Sequence, residues 1–371
     1  MNFNINNKIF IDRVSNDCIL SDNKFIKIYN FFLINNYIIL DNYINADVVI
    51  LDLCWVNNNF LLETYKKIDN YLEKSKKVVL FWCVSPILRE KYSDNVIYVS
   101  SNDYKNIENY FIFNFSISNI DSLNYKNKLT ILDIANELNN YKWEFPSFEK
   151  KAFIEISSWC QFNCSYCNIK KIKWDTNSIQ ISEIINWIKN ELKKWKTEFH
   201  LLSDDCWSYW IDIWVTFPDL LDEIFLLDSN IKIFISNIFP SYLLKYYDKI
   251  KKYIYENKIA YIIVPIQHTS KKILKLMNRS YDINDIIYIL NDIKLNSNTK
   301  LCNHTIFNYH TETLEDFVGT FKVLKYYDKN FYFKYSDINK TFWKDFVSIK
   351  LEEKIILLKK LQKKYNIDIT L

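Results

Sequence analysis

The hydrophobic pattern of the first 145 residues predicts short buried strands that alternate with amphipathic segments. Four apolar, β-branched runs stand out, KIFID, DVVILDL, KVVLFW and NVIYVS, at 8–12, 47–53, 77–82 and 95–100. Continuous apolar runs of this length are typical of parallel strands that are buried on both faces. Between them lie amphipathic segments such as 58–75. The pattern predicts an open parallel α/β sheet.

A more regular alternation follows a linker that we predict at 141–151, where Pro146 interrupts a stretch of mixed polarity. Strands are predicted at 152–158, 198–204, 231–237, 260–266, 300–307 and 331–336. Helices are predicted at 178–194, 216–228, 241–256, 282–295, 312–327 and 351–365. Six β/α repeats indicate a partial barrel, in which functional loops gather at the carboxyl ends of the strands. We therefore predict two α/β domains, an N-terminal open parallel sheet at 1–145 and a partial (β/α)6 barrel with a C-terminal helix at 146–371.

Composition places the chain among ordinary globular proteins. Of its 371 residues, 49% are hydrophobic and 25% are charged, and the net charge of +4 permits an anionic partner without requiring one. The sequence has no apolar run of membrane-spanning length, and its start, MNFNINNKIF, lacks the apolar core of a signal peptide. We expect a cytoplasmic protein with no membrane partner. In that compartment its eight cysteines are more often metal-binding or catalytic than disulfide-bonded.

Three cysteines stand close together in the segment IEISSWCQFNCSYCNI at 154–169: Cys160, Cys164 and Cys167. They follow the first predicted barrel strand, where this fold displays its sites. A structural zinc ion takes four ligands, and no fourth follows at short range. Three thiolates suit a [4Fe–4S] cluster with one open iron, which can bind S-adenosylmethionine (SAM) and cleave it with one electron to give a carbon radical. A zinc site and buried thiols stay open as alternatives.

The CxxxCxxC spacing resembles the radical SAM superfamily, and further segments resemble, in order, the motifs of the radical SAM methylthiotransferases. These segments are EISSWCQFNCSYCNI, KWDTNS (173–178), LLSDDCWSYWIDIW (201–214), VPIQHTSKKILKLMNRSY (264–281) and TIFNYHTETLEDF (305–317). The resemblance runs from about residue 8 to residue 340. It implies a methylthio group transferred to an unactivated C–H bond: one SAM methylates a cluster-bound sulfur, and a second SAM provides the radical.

Three upstream cysteines, Cys18, Cys54 and Cys83, lie at or soon after the ends of predicted strands. The residues alone favour buried unpaired thiols, because cysteine is among the most buried residue types. The resemblance instead implies that they hold an auxiliary [4Fe–4S] cluster. NADVVILDLCW and VVLFWCV resemble the family's second and third cysteine motifs, whereas SNDCILSDNK matches the first less closely. Cys206 and Cys302 receive no ligand role.

Several polar residues end predicted barrel strands or lie beside the cysteine loop, where a cofactor would bind. Tyr166 is expected in the adenine pocket, and Arg279 offers a planar donor for a carboxylate. An exposed turn is the alternative for Asp204 and Asp205, and a surface ion pair is the alternative for Arg279. The predicted cofactor contacts are Tyr166, Asp204, Asp205, Ser236, Asn237, Gln267, His268 and Arg279.

The resemblance also suggests a substrate. SYWIDIW followed by TFPDLL is closest to the branch that acts on threonylcarbamoyladenosine in tRNA. Two departures from the family bear on this assignment. We expect no counterpart of the family's small β-barrel after the radical SAM domain, and YSDINKT (335–341) lacks an expected arginine and glycine. A peptide or ribosomal protein is the second candidate substrate, and a non-catalytic iron–sulfur or zinc module is the candidate from another class. We expect a monomer that receives electrons from a flavodoxin or ferredoxin.

The glycine and tryptophan contents are unusual. The chain has one glycine, where average usage of about 7% gives roughly 26, and it has 11 tryptophans. Tryptophan stands where the family motifs or the local geometry call for glycine at 82, 159, 174, 195, 210 and 214, and also at 207. Our hypothesis is that these codons are UGA, read as glycine in the native host. Genuine tryptophan in a divergent, inactive relative is the alternative.

Overall fold

In a computed structural model of the chain, the described residues are 8–14, 19–53, 58–84, 86–92, 96–122, 150–167, 177–209, 212–335, 351–365 and 369–370. The chain divides into two compact units. The N-terminal unit comprises Met1–Glu149 and Asn168–Asp175, and the barrel unit comprises Lys150–Cys167 and Thr176–Leu371. The predicted domain boundary at 145 lies outside the described residues and stays a prediction.

The N-terminal unit contains one parallel sheet of five strands: β1 (Lys8–Arg13), β2 (Ile38–Leu40), β3 (Val48–Leu53), β4 (Lys77–Trp82) and β5 (Val96–Ser100). Their order is β2-β1-β3-β4-β5, and every pairing is parallel. The helices are α1 (Ile19–Ile34), α2 (Asn58–Glu73) and α3 (Pro86–Lys91), and two short 3-10 segments follow at Ser101–Asn109 and Ile117–Ser122. This is the doubly wound strand order of flavodoxin-like sheets, and it confirms the predicted open parallel α/β fold.

The difference in length and burial between β3 and β2 explains why the sequence predicted the first and not the second. All six residues of β3, VVILDL, are buried, because β3 lies inside the sheet. Strand β2 is an edge strand of three partly exposed residues, IIL, and it was not predicted. A run this short carries no periodic signal.

The barrel unit contains a second parallel sheet: β6 (Lys151–Glu155), β9 (Glu198–Leu202), β10 (Lys232–Asn237), β11 (Ile259–Ile263), β12 (Lys300–Phe307), β13 (Lys329–Lys334) and β14 (Ile369–Thr370). Its order is β14-β13-β12-β11-β10-β9-β6. The first six of these correspond to the six predicted strands, and β14 adds a two-residue edge strand that was not predicted. A small antiparallel pair, β7 (Ser157–Ser158) and β8 (Asn177–Ser178), flanks the cysteine segment in the sequence.

The helices of the barrel unit are α4 (Ile181–Leu192), α5 (Phe217–Phe225), α6 (Pro240–Tyr255), α7 (Lys271–Leu276), α8 (Ile283–Asn296), α9 (Leu314–Gly319), α10 (Phe321–Leu324) and α11 (Leu351–Tyr365). The helix predicted at 312–327 is two short helices, α9 and α10, and α7 was not predicted. Helix α9 begins with a capping box, in which the Thr313 hydroxyl accepts from Asp316 N–H at 3.1 Å and the Asp316 carboxylate accepts from Thr313 N–H at 3.0 Å.

The core of the barrel unit lies between the parallel strands and the helices that cover them. It is aliphatic and aromatic, and it includes Ile184 of α4, Leu220 of α5, Leu243 of α6, Leu290 of α8 and Leu301 of β12, all with no exposed surface. This packing fixes the carboxyl ends of the strands, from which the candidate site is built. Among the described residues, no helix is long and apolar enough to cross a membrane.

Candidate metal and cofactor site

The cysteine loop, residues 159–167, leaves the end of β7 at the carboxyl side of β6. Cys164 is buried, and Cys160 and Cys167 are half-buried. The loop after β9 holds its first part: Trp159 N–H donates to Asp204 Oδ2 at 2.8 Å, and Gln161 N–H donates to Ser208 Oγ at 3.2 Å. Asp204, which the sequence placed at the cofactor, therefore supports the backbone beside the first cysteine.

The end of α7 holds the second part of the loop. Ser165 N–H donates to Met277 O at 3.1 Å, and Ser165 Oγ donates to Leu276 O at 2.7 Å. The Asn278 amide donates to Asn163 O at 2.8 Å. The first two bonds use carbonyls at the end of α7, which a helix leaves without partners within the helix. A short helix that the sequence pattern did not predict therefore fixes the backbone between the cysteines.

Arg279 connects the cysteine loop to the end of β11. Its Nη1 lies 3.7 Å from Cys164 Sγ and donates to the Tyr166 hydroxyl at 3.0 Å. Its Nη2 donates to Pro265 O at 2.7 Å, and its guanidinium stacks on Phe239 at 4.1 Å. Arg279 is 5% exposed, so the alternative of a surface ion pair is excluded. Arg279 and Tyr166, which the sequence predicted as cofactor contacts, both lie beside the cysteines.

The electrostatics of the loop disfavour a bare thiolate. Burial raises the pKa of the Cys160 thiol, and the Asp205 carboxylate and the neighbouring thiols of Cys167 and Cys164 raise it further. A bound metal centre removes the proton from a coordinating thiol and supplies the missing positive charge. Three thiols in one loop, two of them half-buried, are chemically suited to such a centre.

The number of thiols bears on the kind of metal centre that the loop could hold. Among the described residues, no group of three or more Cys, His, Asp or Glu side chains is placed to hold a single metal ion. A structural zinc ion takes four ligands, whereas three thiolates suit a [4Fe–4S] cluster with one open iron. The loop offers three thiols, which is the donor set of such a cluster.

Asp205, Ser236 and Asn237 have different environments. Asp205 is 2% exposed, and its carboxylate accepts from Ser208 Oγ at 2.7 Å and from Phe239 N–H at 3.1 Å. Burial raises its pKa to about 6. Ser236 is buried within the sheet and lies 3.0 Å from His200 Nε2, and Asn237 ends β10 half-buried. Asp205 is thus not the exposed turn residue that the sequence left open.

Gln267 combines backbone strain with a buried oxygen. Its φ is 61°, in the left-handed region, and its side chain is 9% exposed. Its Oε1 has no hydrogen-bond partner among the described residues. Such an atom is costly unless a ligand satisfies it, and strained residues gather at functional sites. Gln267 therefore fits a contact to a polar group of a cofactor.

His268 uses both ring nitrogens within the protein. Its Nδ1 accepts from Ser270 N–H at 2.9 Å, so Nε2 carries the proton and donates to Glu312 Oε1 at 3.1 Å. Glu312 also accepts from Lys354 of α11 and, at 2.7 Å, from Asn308 N–H. The geometry assigns His268 to holding this buried network, which the sequence did not predict.

The sequence also missed other residues of the site. Phe162 stacks on Phe239 with ring centroids 3.4 Å apart, and the Tyr309 hydroxyl lies 2.7 Å from Ser165 Oγ. A cavity of about 420 Å³ opens beside Arg279, lined by Lys271, Leu274, Lys275, Asn278, Arg279, Ser280, Tyr281 and Asp282. Phe239 and Tyr309 lie just after β10 and β12, and their position after a strand was the only signal available.

Of the three cysteines predicted to hold an auxiliary cluster, one lies among the described residues. Cys83 is half-buried directly after β4, whereas Cys18 and Cys54 lie outside the described residues. The three strands that precede them, β1, β3 and β4, are neighbours in the sheet. Their carboxyl ends share one edge, where open α/β sheets bind ligands. At this edge Arg13 forms ion pairs with Asp22 at 2.6 Å and with Asp52 at 3.1 Å.

Comparison with known proteins shows which proteins the chain resembles. The model of the radical SAM superfamily matches residues 154–324, the stretch that contains the cysteine loop and Arg279. The ribosomal protein uS12 methylthiotransferase RimO of Clostridioides difficile is 28% identical over 73% of this chain and 62% of its own length. The tRNA-2-methylthio-N(6)-dimethylallyladenosine synthase of Fervidobacterium nodosum is 26% identical over 76% and 64%. The chain contains a radical SAM domain, and it is similar to methylthiotransferases along most of its length.

A third relative is named as a probable threonylcarbamoyladenosine tRNA methylthiotransferase. It comes from Pyrococcus abyssi and is 22% identical over 74% of this chain and 62% of its own length. The chain thus spans less than two thirds of the length of these three relatives. These matches confirm the resemblance to the radical SAM superfamily, which came from the cysteine loop, and to the methylthiotransferases, which came from the further motifs.

Solved structures show the same fold. The radical SAM methyltransferase TsrM of Kitasatospora setae matches with a TM-score of 0.58 at 10% identity, over 89% of this chain and 75% of its own. The cobalamin-dependent enzyme OxsB matches with a TM-score of 0.56 at 11% identity, over 99% and 58%. At this identity the likeness concerns the fold alone.

Proposed function

We propose that this radical SAM protein transfers a methylthio group to an unactivated C–H bond of its substrate. The observation that carries the proposal is the cysteine loop at the carboxyl ends of the barrel strands, with Arg279 beside Cys164. The names of the curated relatives support the reaction class. The three thiols of the cysteine loop support the proposed cofactors, a [4Fe–4S] cluster and SAM.

Cys160, Cys164 and Cys167 would hold the cluster, and its fourth iron would bind the amino and carboxylate groups of SAM. When bound, the pair supplies the one-electron chemistry that activates a C–H bond. The protein's part is orientation and exclusion of water. Asp204 and Ser208 fix the loop from one side, and α7 fixes it from the other.

Arg279 and Gln267 are the residues best suited to bind SAM in the barrel unit. The Arg279 guanidinium keeps its charge when buried and places a donor near Cys164 and Tyr166. The unsatisfied Gln267 Oε1 can accept from an ammonium or a ribose hydroxyl. Phe162, stacked on Phe239, adds an apolar wall beside the loop.

Cys18, Cys54 and Cys83 would hold an auxiliary [4Fe–4S] cluster that carries the sulfur to be transferred. The adjacency of β1, β3 and β4 supports this, because it puts the three following loops at one edge. The proposal predicts that removing Cys83 stops methylthio transfer while SAM cleavage continues. An external flavodoxin or ferredoxin would supply the electrons.

For the substrate we propose a threonylcarbamoyl-modified adenosine of tRNA. The segment SYWIDIW with TFPDLL supports it, as does the relative in Pyrococcus abyssi that carries this name. Ribosomal protein uS12 is the second candidate, because the relative in Clostridioides difficile is named for it. The two candidates differ in where the added mass appears.

Two measurements test the proposal, one of the reaction and one of the substrate. Anaerobic protein with SAM and dithionite is expected to release 5′-deoxyadenosine, whereas a Cys164→Ala variant releases none. Cys302→Ala is the matched control, since Cys302 is a buried cysteine in β12 with no proposed role. In cells that lack the gene, tRNA nucleosides should lose the methylthio mass while uS12 keeps its own. Loss from uS12 alone would reassign the substrate, and no 5′-deoxyadenosine from wild type would refute the enzyme.

A further inference from the structure

Four tryptophans adopt a backbone conformation that L-residues with large side chains avoid. Trp82, Trp159, Trp195 and Trp214 have φ values of 79°, 92°, 64° and 58°. In the left-handed region the Cβ atom crowds the following carbonyl, so glycine, and to a lesser degree asparagine, fills such positions. Six of the 11 tryptophans lie among the described residues, and these four are most of them.

The other left-handed positions follow the ordinary rule. Among the described residues, the remaining non-glycine residues with positive φ are Asn36, Ser75, Asn257, Gln267, Asn278, Asn308 and Thr311. All are polar and most are asparagine, the residue that best replaces glycine there. The single glycine, Gly319, has no positive φ, and an added Cβ would meet Thr269 Oγ1 at an ordinary 3.4 Å. The chain as written therefore has glycine where none is needed and tryptophan where glycine belongs.

The end of α4 shows the anomaly most clearly. Trp195 N–H donates to Leu192 O at 3.0 Å, and Lys196 N–H donates to Glu191 O at 3.2 Å. These two bonds form a Schellman motif, whose left-handed residue is usually glycine. The same pair of bonds ends α6 at Asn257 and α7 at Asn278. Trp195 is 87% exposed, so no packing of its indole compensates for the conformation.

Trp214 repeats this pattern in a loop, where its side chain is 88% exposed at φ 58°. Trp82 and Trp159 instead stand directly before Cys83 and Cys160. Trp82 is 2% exposed, with Lys24 Nζ 5.4 Å from its ring, so its indole fills buried space at the edge of the N-terminal sheet. Glycine would free that space next to Cys83.

We infer that the codons for residues 82, 159, 195 and 214 are read as glycine in the native cell, so that the working protein has glycine at all four positions. The inference rests on backbone geometry and does not depend on the proposed function. Trp174 and Trp210 lie outside the described residues. Trp207 has no positive φ, and its buried Nε1 has no hydrogen-bond partner among the described residues. Of the six tryptophans among the described residues, Trp187, inside α4, is the one that fits its position.

Peptide mass spectrometry on the protein purified from its native cells tests the inference. Peptides that cover residues 77–84, 151–167, 187–196 and 212–217 are expected to have the mass of glycine at the four positions and of tryptophan at 187. The gene is expected to have TGA at the four codons and TGG at codon 187. Tryptophan masses at 82, 159, 195 and 214 would overturn the inference.

A second measurement tests the structural reason in a host that inserts tryptophan at these codons. Trp195→Gly is expected to raise the melting temperature of the chain as written, because it removes a strained and exposed residue. Trp187→Gly, the matched control, is expected to lower it, because a helix interior loses packing and gains a glycine. A lower melting temperature for Trp195→Gly would contradict the geometric argument.

The consequence for the metal sites is measured as iron content. In the same host, the Trp82→Gly, Trp159→Gly double variant is expected to bind more iron per chain after anaerobic reconstitution than the chain as written. Trp187→Gly should give no such gain. Equal iron in the double variant and the chain as written would show that glycine at these positions does not serve the clusters.

Discussion

Arg279 is the residue on which the geometry of the cofactor site depends most. Its Nη1 contacts the Tyr166 hydroxyl and Cys164 Sγ, and its Nη2 donates to Pro265 O. The plane of the guanidinium stacks on the Phe239 ring. Only a rigid, forked cation can make these contacts together. The barrel therefore fixes a positive charge beside the cysteine loop through one side chain.

Replacing Arg279 with lysine keeps the charge and removes the fork. We expect Arg279→Lys to retain its iron and to cleave SAM about tenfold more slowly, which corresponds to about 1.4 kcal/mol in the activation barrier. Arg89→Lys, at an exposed position in the N-terminal unit, is the control and should change neither quantity. Undiminished SAM cleavage in Arg279→Lys would show that the fork is not needed.

The buried imidazole of His200 makes the folding stability of the barrel unit depend on pH. Burial lowers its pKa to about 3, and the neighbouring Lys151 contributes to the shift. The unfolded chain protonates this ring near pH 6.5, whereas the folded chain does so only near pH 3. Between these values the unfolded state binds the extra proton, so stability falls as the pH decreases from 6.5 and is unaffected above it.

We therefore expect the free energy of unfolding to fall by up to about 1.4 kcal/mol per pH unit below pH 6 on account of His200. Urea titrations of wild type and His200→Gln at pH 7, 6, 5 and 4 measure the slope. The variant should lose less stability than wild type across this range. Equal slopes would show that His200 does not stay neutral in the folded barrel.

At the scale of elements, helix α11 is attached to the barrel through a buried ion pair. Lys354 and Glu312 have no exposed side-chain surface, and the same carboxylate is bonded by His268 and Asn308. Removing one partner of such a pair leaves a buried charge without compensation, which costs about 3–5 kcal/mol. The carboxyl ends of β11 and β12 and helix α11 thus share one polar network.

Lys354→Ala is accordingly expected to lower the free energy of unfolding by about 3–5 kcal/mol. Lys360→Ala, at an exposed position in the same helix, should change it by no more than about 0.5 kcal/mol. Replacing both partners, Lys354→Met with Glu312→Gln, should recover most of the loss because no buried charge remains. Similar stabilities for the two alanine variants would contradict the buried pair.

The sequence predicted the elements whose signal lies within one segment. The apolar runs located β1, β3, β4, β5 and the six main barrel strands, but β2, β14 and α7 are too short to show a period. The split of the predicted helix 312–327 was missed because the interruption at Thr320 has no Gly or Pro signal.

The sequence predicts a part of the candidate site where its residues form a local motif, as in the close spacing of Cys160, Cys164 and Cys167. The contacts of Asp204 with Trp159 and of Arg279 with Cys164 join residues 45 and 115 positions apart. The tertiary arrangement creates these contacts, and no local pattern contains them. The role of His268 was missed for the same reason, since Lys354 reaches its network from the far end of the chain.

At the scale of the whole molecule, the glycine positions bear on stability as well as on the site. A left-handed conformation costs an L-residue about 1–2 kcal/mol. Four tryptophans in that conformation would therefore consume a large part of the roughly 5–15 kcal/mol by which proteins are stable. Glycine at these positions removes this cost and opens the backbone beside two proposed cluster cysteines.

The central claim is that Cys160, Cys164 and Cys167 hold an iron–sulfur cluster with one iron open to SAM. Electron paramagnetic resonance of the reduced native protein, purified anaerobically, tests it most directly. We predict a reduced-cluster signal that changes when SAM is added and that Cys164→Ala no longer shows this change, while Cys302→Ala still does. A SAM response that survives in Cys164→Ala, or zinc in place of iron in the native protein, would contradict the account.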